Sequence, residues 1–308
     1  MSNKPFKLRP PGKMNEPPPS EPSKQAKSRD KPTFRGRFAA VHTGIKSAFA
    51  AETRQKSVAQ FGLILSLVVL SGLYISGLNE PATAVLAKRR ELPVYCVERE
   101  DKVISISFDA SWGGDKTIDI LDILDAPQVK TTFFLVGGWV DKYHELVQEI
   151  MDRGHEIGNH SDTHPHMSQL SEEAIKKELR MMSDKVETIT GVRPLLFRPP
   201  FGDYNDRVVL TTRAEGYEVV QWSIDSLDWK DRGVADIVKQ CTYRVNNGDI
   251  VLFHNDSNDI VNALPTVIKH YQGLGFQIIP VSEILLKGET TIDVQGKQHP
   301  ADAATPKQ

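Results

Sequence analysis

Between residues 94 and 286, short apolar runs alternate with longer segments whose apolar positions recur every three or four residues. The runs at 103–108, 131–136, 155–158, 195–197, 218–224, 250–254 and 277–281 predict strands. The patterns between them predict helices over 116–124, 145–153, 171–190, 206–215, 234–243 and 261–271. Gly154, Gly191, Gly216 and Gly275 stand just past helices, where left-handed caps belong. Near-continuous apolar strands suit a parallel sheet covered on both faces. Seven strands alternating with six helices at this spacing predict an α/β fold, a closed or nearly closed parallel barrel of about seven strands.

A different pattern precedes the barrel. Residues 58–78 are uncharged and largely apolar, about the 20 residues a helix needs to cross a bilayer core, which predicts one transmembrane signal anchor. A cleaved signal is the rival reading, because Ala82-Thr83-Ala84 resembles a small-residue cleavage site. The long leader before the apolar run favours the anchor.

Charge sets the expected orientation. Residues 1–56 hold 13 Lys and Arg against 4 Asp and Glu, about +9, so in a chain of net charge −2 the remainder carries about −11. Eight of the 19 prolines also fall there, too much for a packed core. Residues 1–57 are therefore expected to be a disordered basic tail, cytoplasmic by the positive-inside rule and without a nucleic-acid partner. The anchor 58–78, a linker 79–93, a folded domain 94–287 and a flexible polar end 288–308 complete the expected layout. The expected protein is single-pass in the cell membrane, with the folded domain extracytoplasmic. Cys96 and Cys241 lack any zinc-finger or CxxC spacing; in an exported domain a disulfide between them is one reading, and buried free thiols are the favoured one.

Five clusters of acid, base and donor residues lie at or just after the strands. They are Ser107-Phe-Asp-Ala-Ser-Trp-Gly113, His160-Ser-Asp-Thr-His164, Arg198-Pro-Pro-Phe-Gly202, Asp225-Ser-Leu-Asp-Trp229 and Leu252-Phe-His254. A barrel gathers all five at its carboxyl end. Asp109 is placed to take a proton from an attacking water, although an acid at a strand end is by itself more often a cap or loop partner. His160 and His164 have a spacing that turns two imidazoles to one side and suits a metal, although the spacing alone is common. Arg198, pinned by Pro199 and Pro200, is placed to pair bidentately with the base. A carboxylate of the Asp225–Asp228 segment can orient and charge His254, which is set to protonate a leaving nitrogen, while Trp229 offers a wall for a sugar face. His155 reads as a strand-edge residue and His166 as an outer or pocket group.

In this order the five motifs resemble the polysaccharide deacetylase family, the NodB-homology domain of carbohydrate esterase family four. The resemblance covers roughly residues 103–286. It is greatest to the sporulation-associated branch of spore-forming Gram-positive bacteria in Phe108-Asp-Ala-Ser-Trp-Gly113, in the run from His160 to Met167, and in Asp225-Ser-Leu-Asp-Trp-Lys230. It implies a distorted (β/α) barrel that removes N-acetyl groups from GlcNAc or MurNAc units of peptidoglycan or a chitin-like glycan. The implied cofactor is a divalent metal, zinc first, with cobalt, nickel or manganese as alternatives. The resemblance further implies Asp109 as catalytic base, His160 and His164 as metal ligands, Arg198 as brace of the base, Asp228 as the carboxylate tuning the acid, and His254 as the acid. Trp229 and Leu252 line the implied acetyl pocket, and Phe201 and Asp225 complete the expected substrate contacts.

One position departs from the family. Members usually have Asp-Asp in the first motif, the second supplying a third metal ligand, whereas here Asp109 is followed by Ala110. Catalytic zinc sites generally have three protein ligands. Substitution by Asp115 or Asp162, weak metal binding and lost hydrolysis are all open at this point. A catalytically weak or inactive cell-wall glycan-binding domain is the second reading, and a membrane scaffold the third. Retention of Asp109, His254 and both histidines favours the enzyme.

Overall fold

The computed structural model describes residues 60, 62–71 and 90–301. Its strands are β1 Cys96–Val97, β2 Val103–Ala110, β3 Thr132–Leu135, β4 Glu156–Asn159, β5 Leu196–Phe197, β6 Glu218–Val219, β7 Ile224–Asp225, β8 Ile250–His254, β9 Gln277–Ile278, β10 Thr290–Ile292 and β11 Lys297–Pro300. Seven of them form one parallel sheet in the order β6-β5-β4-β3-β2-β8-β7, with β9 pairing to the start of β2. The two outermost strands are neighbours in the chain. Only residues 220–223 separate β6 from β7, so one extended segment pairs with β5 at its start and with β8 at its end. The result is a curved, incompletely closed α/β barrel, in which six of the seven predicted runs supply the seven strands, the run at 218–224 giving both β6 and β7, while the run at 277–281 gives β9.

β2 shows how the sheet is buried on both faces. Ile104, Ile106, Phe108 and Ala110 join the apolar layer under the helices, and by strand alternation Ser105, Ser107 and Asp109 face the barrel interior. Phe108 stacks on Phe133 at 4.9 Å between ring centroids and on Phe253 at 5.8 Å, which ties the three central strands together. In the interior, Ser107 donates to the Val251 carbonyl at 2.8 Å, so its hydroxyl is satisfied without water.

The helix Glu172–Thr190 packs Ile175, Leu179, Met182 and Val186 inward. Ser171 caps its start by accepting from the Ala174 amide, and Gly191 ends it at φ 72°, a left-handed conformation that costs glycine nothing sterically. Gly154, Gly216 and Gly275 also have positive φ, as their positions predicted.

Two expectations meet the structure differently. The polar end at 288–308 was expected to be loose, yet residues 290–300 form a hairpin in which β11 pairs antiparallel with β10 and parallel with β1. Gly296, at φ 82°, turns the hairpin, and its polar strands lacked the apolar alternation by which a strand is recognised. Of the anchor at 58–78, residue 60 and residues 62–71 are described and are helical, and no described helix is long and apolar enough to cross a membrane. The rest of the anchor, the tail 1–57, the linker to residue 89 and residues 302–308 lie outside the described residues. Cys96 and Cys241 are both free thiols, Cys241 buried and Cys96 half-buried.

Candidate active site

Strand register brings the predicted base and acid together. Asp109 on β2 stands directly opposite His254 on β8, so the two side chains leave adjacent parallel strands on the same face. On the other flank Asn159 pairs with Phe197, which sets the next residues of those strands, His160 and Arg198, side by side. Asp225 pairs with Leu252. A cavity of about 560 Å³ opens over these strand ends, lined among others by Asp109, His160, His164, Leu252 and His254. Phe201, Trp222, Trp229 and Trp112 wall it, and Asp225 and Asp256 add carboxylates.

Asp109 is buried and held by one guanidinium nitrogen. Arg198 Nη1 donates to its Oδ1 at 2.8 Å, while Nη2 donates to the Gln221 carbonyl at 3.1 Å. The bidentate pairing expected from the sequence is therefore not made, because the second nitrogen is committed to the backbone of the neighbouring strand end. The guanidinium also lies over the Phe134 ring at 4.1 Å. Burial alone would push the Asp109 carboxyl up, but the charges of His160, Arg198 and His254 together hold it below its ordinary value. Burial holds His160 itself down, so the permanent charge of Arg198 keeps Asp109 ionised at neutral pH.

His254 is arranged for the opposite task. Asp228 grips it twice, its Oδ2 accepting from the His254 amide at 2.8 Å and its Oδ1 from Nδ1 at 2.8 Å. Burial would lower the imidazole, yet the Asp228 hydrogen bond and charge, with Asp109 and Asp225 behind them, raise it above its usual value. With Nδ1–H donated to Asp228, Nε2 is the nitrogen left to serve the cavity. Asp225 does not touch His254. It accepts from the Leu227 amide at 2.8 Å, and burial raises its carboxyl.

The two remaining histidines are electrically neutral donors. His160 Nδ1 donates to the Arg198 carbonyl at 2.7 Å, which leaves the Nε2 lone pair 3.4 Å from Asp109 Oδ2. Two acceptors facing each other at that distance invite a proton or a cation between them. His164 lies 5.1 Å away, ring centroid to centroid, and burial, with His160 behind it, lowers its imidazole to about 4. Both rings thus present the neutral form a divalent metal binds.

Among the described residues no third ligand stands beside them. Asp162 Oδ1 takes the Lys185 ammonium at 2.6 Å, Asp115 is exposed, and neither lines the cavity. Ala110 is fully buried in the apolar layer. Among the described residues no group of three His, Cys, Asp or Glu side chains is placed to hold a metal. The donor set therefore fits a cation through two nitrogens and falls short of the usual three.

Several lining residues were given no role by the sequence. Trp222, Asp256 and Ser257 reach the cavity, as do Ser111 and Trp112 of the first motif. Trp112 is 68% exposed, an outlay of apolar surface at the mouth that its position after Ala110-Ser111 could have flagged. His155 is buried and receives the Thr131 amide at 3.2 Å, far from a metal role, while His166 stacks on Phe201 at 4.5 Å on the rim.

Comparison with known proteins fits this geometry. The polysaccharide deacetylase family model matches residues 97–220. A peptidoglycan-N-acetylglucosamine deacetylase of Bacillus cereus is 36% identical over 194 residues, which cover 61% of this chain and 91% of that protein. The peptidoglycan-N-acetylmuramic acid deacetylase PdaC of Bacillus subtilis is 33% identical over 188 residues, 61% of this chain and 40% of its own longer one. Among solved structures, a CE4 family pseudoenzyme from Bacillus anthracis superposes with a TM-score of 0.61 at 30% identity, covering 62% of this chain and 68% of that one. A mutant of that pseudoenzyme, at 31% identity, is described as having restored enzymatic activity.

Proposed function

Because the chain belongs to the polysaccharide deacetylase family, we propose that it hydrolyses the N-acetyl groups of GlcNAc or MurNAc units in a cell-wall glycan, peptidoglycan first. The observation that carries this reading is the register pair Asp109–His254: a braced, ionised carboxylate and a carboxylate-charged imidazole on adjacent strands at one cavity.

In this mechanism the acetamido group enters over Leu252 and Trp229, and the sugar rests against the aromatic walls at Phe201 and Trp229. Asp109 takes a proton from the water as it attacks the amide carbonyl. Arg198 keeps that carboxylate ionised and aimed. His254 then delivers the Nε2 proton to the departing amine, with Asp228 fixing the tautomer and sustaining the charge. Asp225 adds a second carboxylate to the lining. His160 and His164 would hold a divalent cation, zinc or in its place cobalt, nickel or manganese, which when bound supplies Lewis-acid polarisation of the carbonyl and its water.

The proposal includes a setting. The basic tail, the uncharged run at 58–78 and the acidic remainder support a membrane anchor with the domain outside the cytoplasm.

A second reading has its own support. Ala110 in place of the usual third ligand, and the likeness to the B. anthracis pseudoenzyme, favour a glycan-binding domain with little or no turnover. Mass spectrometry of chitin and peptidoglycan oligomers incubated with the full-length chain separates the two. Loss of acetyl groups supports the hydrolase, and retention on the glycan without acetyl loss supports the binder.

A further inference from the structure

The turn that carries both histidines is held from one helix. Residues 160–164 include two non-glycine residues in the left-handed region, Ser161 at φ 69° and His164 at φ 58°, so the turn is a conformation the chain would not keep unaided. Glu178, on the helix Glu172–Thr190, reaches it with both carboxylate oxygens. Its Oε2 accepts from the amides of Asp162 at 2.9 Å and Thr163 at 2.8 Å, and its Oε1 from the Thr163 hydroxyl at 2.8 Å. The same helix presents the Leu179 carbonyl and the Ser183 hydroxyl to Asn159 Nδ2 at 2.7 and 2.9 Å, and Lys185 to Asp162 at 2.6 Å. Asn159 Oδ1 in turn accepts from the Ser161 amide at 2.8 Å, and Ser161 Oγ from the His164 amide at 3.0 Å.

Glu178 touches no cavity residue and no reacting atom. It is the side chain that accepts the Asp162 and Thr163 amides, two of the three between the histidines, and nothing else among the described hydrogen bonds takes those two donors. We infer that Glu178 is a positioning residue for the His160–His164 donor pair, fixing the spacing of the two imidazoles through the backbone between them. A pair of donors without a third protein ligand has only its geometry to select and retain a cation, so this chain depends on that clamp more than a three-ligand site would. The inference rests on the reading of His160 and His164 as cation donors.

The variants are Glu178→Ala, which removes all three acceptor contacts, and Glu178→Gln, which keeps an oxygen for the two amides and an amide group for the Thr163 hydroxyl while removing the charge. Cobalt alone is titrated into the full-length chain and binding is read from absorbance, and backbone hydrogen exchange is followed at Asp162 and Thr163. Glu178→Ala should weaken cobalt binding on the order of 10- to 100-fold, the range for lost support behind metal ligands. It should also speed exchange at those two amides, with Val208 and Ile268 unchanged as remote controls. Glu178→Gln should stay near wild type in both. Cobalt affinity and exchange equal to wild type in Glu178→Ala would overturn the inference. So would a Gln variant as impaired as the Ala variant, because charge rather than position would then be the cause. If wild type binds no cobalt, the donor reading fails by itself, and unchanged exchange in Glu178→Ala would still dismiss the clamp.

Discussion

Arg198 Nη1 and Asp109 Oδ1 meet at 2.8 Å in an ion pair whose side chains are 0% and 6% exposed, and the guanidinium gives its other terminal nitrogen to the Gln221 carbonyl instead of doubling the contact. The second carboxylate oxygen is thereby left toward His160 and the cavity, which is where a base needs a free lone pair. Removing the brace while keeping its bulk, as in Arg198→Met, leaves a buried carboxylate unpaired. Stability should fall by about 3–5 kcal/mol in denaturant unfolding, the cost typical of a broken buried pair. A loss under about 1 kcal/mol would mean that the pair is not buried in solution as it is in the structure.

The pH profile follows from opposite shifts on the two partners. Turnover needs Asp109 ionised, and its value is lowered, so the acid limb should lie below the ordinary carboxylate range. It also needs His254 protonated, and its value is raised, so the basic limb should lie above 6.5. Asp228→Asn removes the charge that lifts His254 and should move the basic limb to lower pH, leaving the acid limb in place. A basic limb that ignores Asp228 would assign the acid role elsewhere.

Much of this was legible in the sequence because the burial of parallel strands is written locally. The apolar runs located β2, β3, β4 and β8, and an acid or a histidine at their ends marked Asp109 and His254 before any partner was known. What local pattern does not carry is which atoms meet. That Asp109 faces His254 is set by the register of β2 on β8, a pairing across about 145 residues, and that Arg198 divides its donors depends on where the Gln221 carbonyl falls. Asp162 looked available as a ligand until Lys185, 23 positions on, proved to hold it. Trp112 and Asp256 lacked a helical or strand period to give them away, and the short helix Gly137–Lys142 is opened by two glycines that read as a loop.

Ala110 links metal to stability. The residue is fully buried in the apolar layer, so a carboxylate in Ala110→Asp is cut off from water. Without added metal the variant should unfold earlier than wild type, and zinc or cobalt should offset that loss only where the new carboxylate, on the last residue of β2, turns out of the apolar layer to the His160–His164 pair. Stabilisation by metal equal in both proteins would show that the new oxygen does not reach the cation.

Topology is tested on intact cells. On the proposed topology, protease added outside should remove the barrel domain and spare an N-terminal tag, because the tail of about +9 precedes the uncharged run at 58–78. Loss of the tag with the domain protected would reverse the orientation, and release of the domain without protease would favour a cleaved signal.

The central claim is that Asp109 and His254 work as base and acid in amide hydrolysis, and acetate release from peptidoglycan by the full-length chain measures it most directly. Wild type supplied with zinc or cobalt should release acetate, and Asp109→Asn and His254→Ala should each lower the rate by about 10²–10⁴-fold while folding normally. No acetate from wild type with any divalent cation, or equal rates in all three proteins, would contradict the account and leave glycan binding as the function of the barrel.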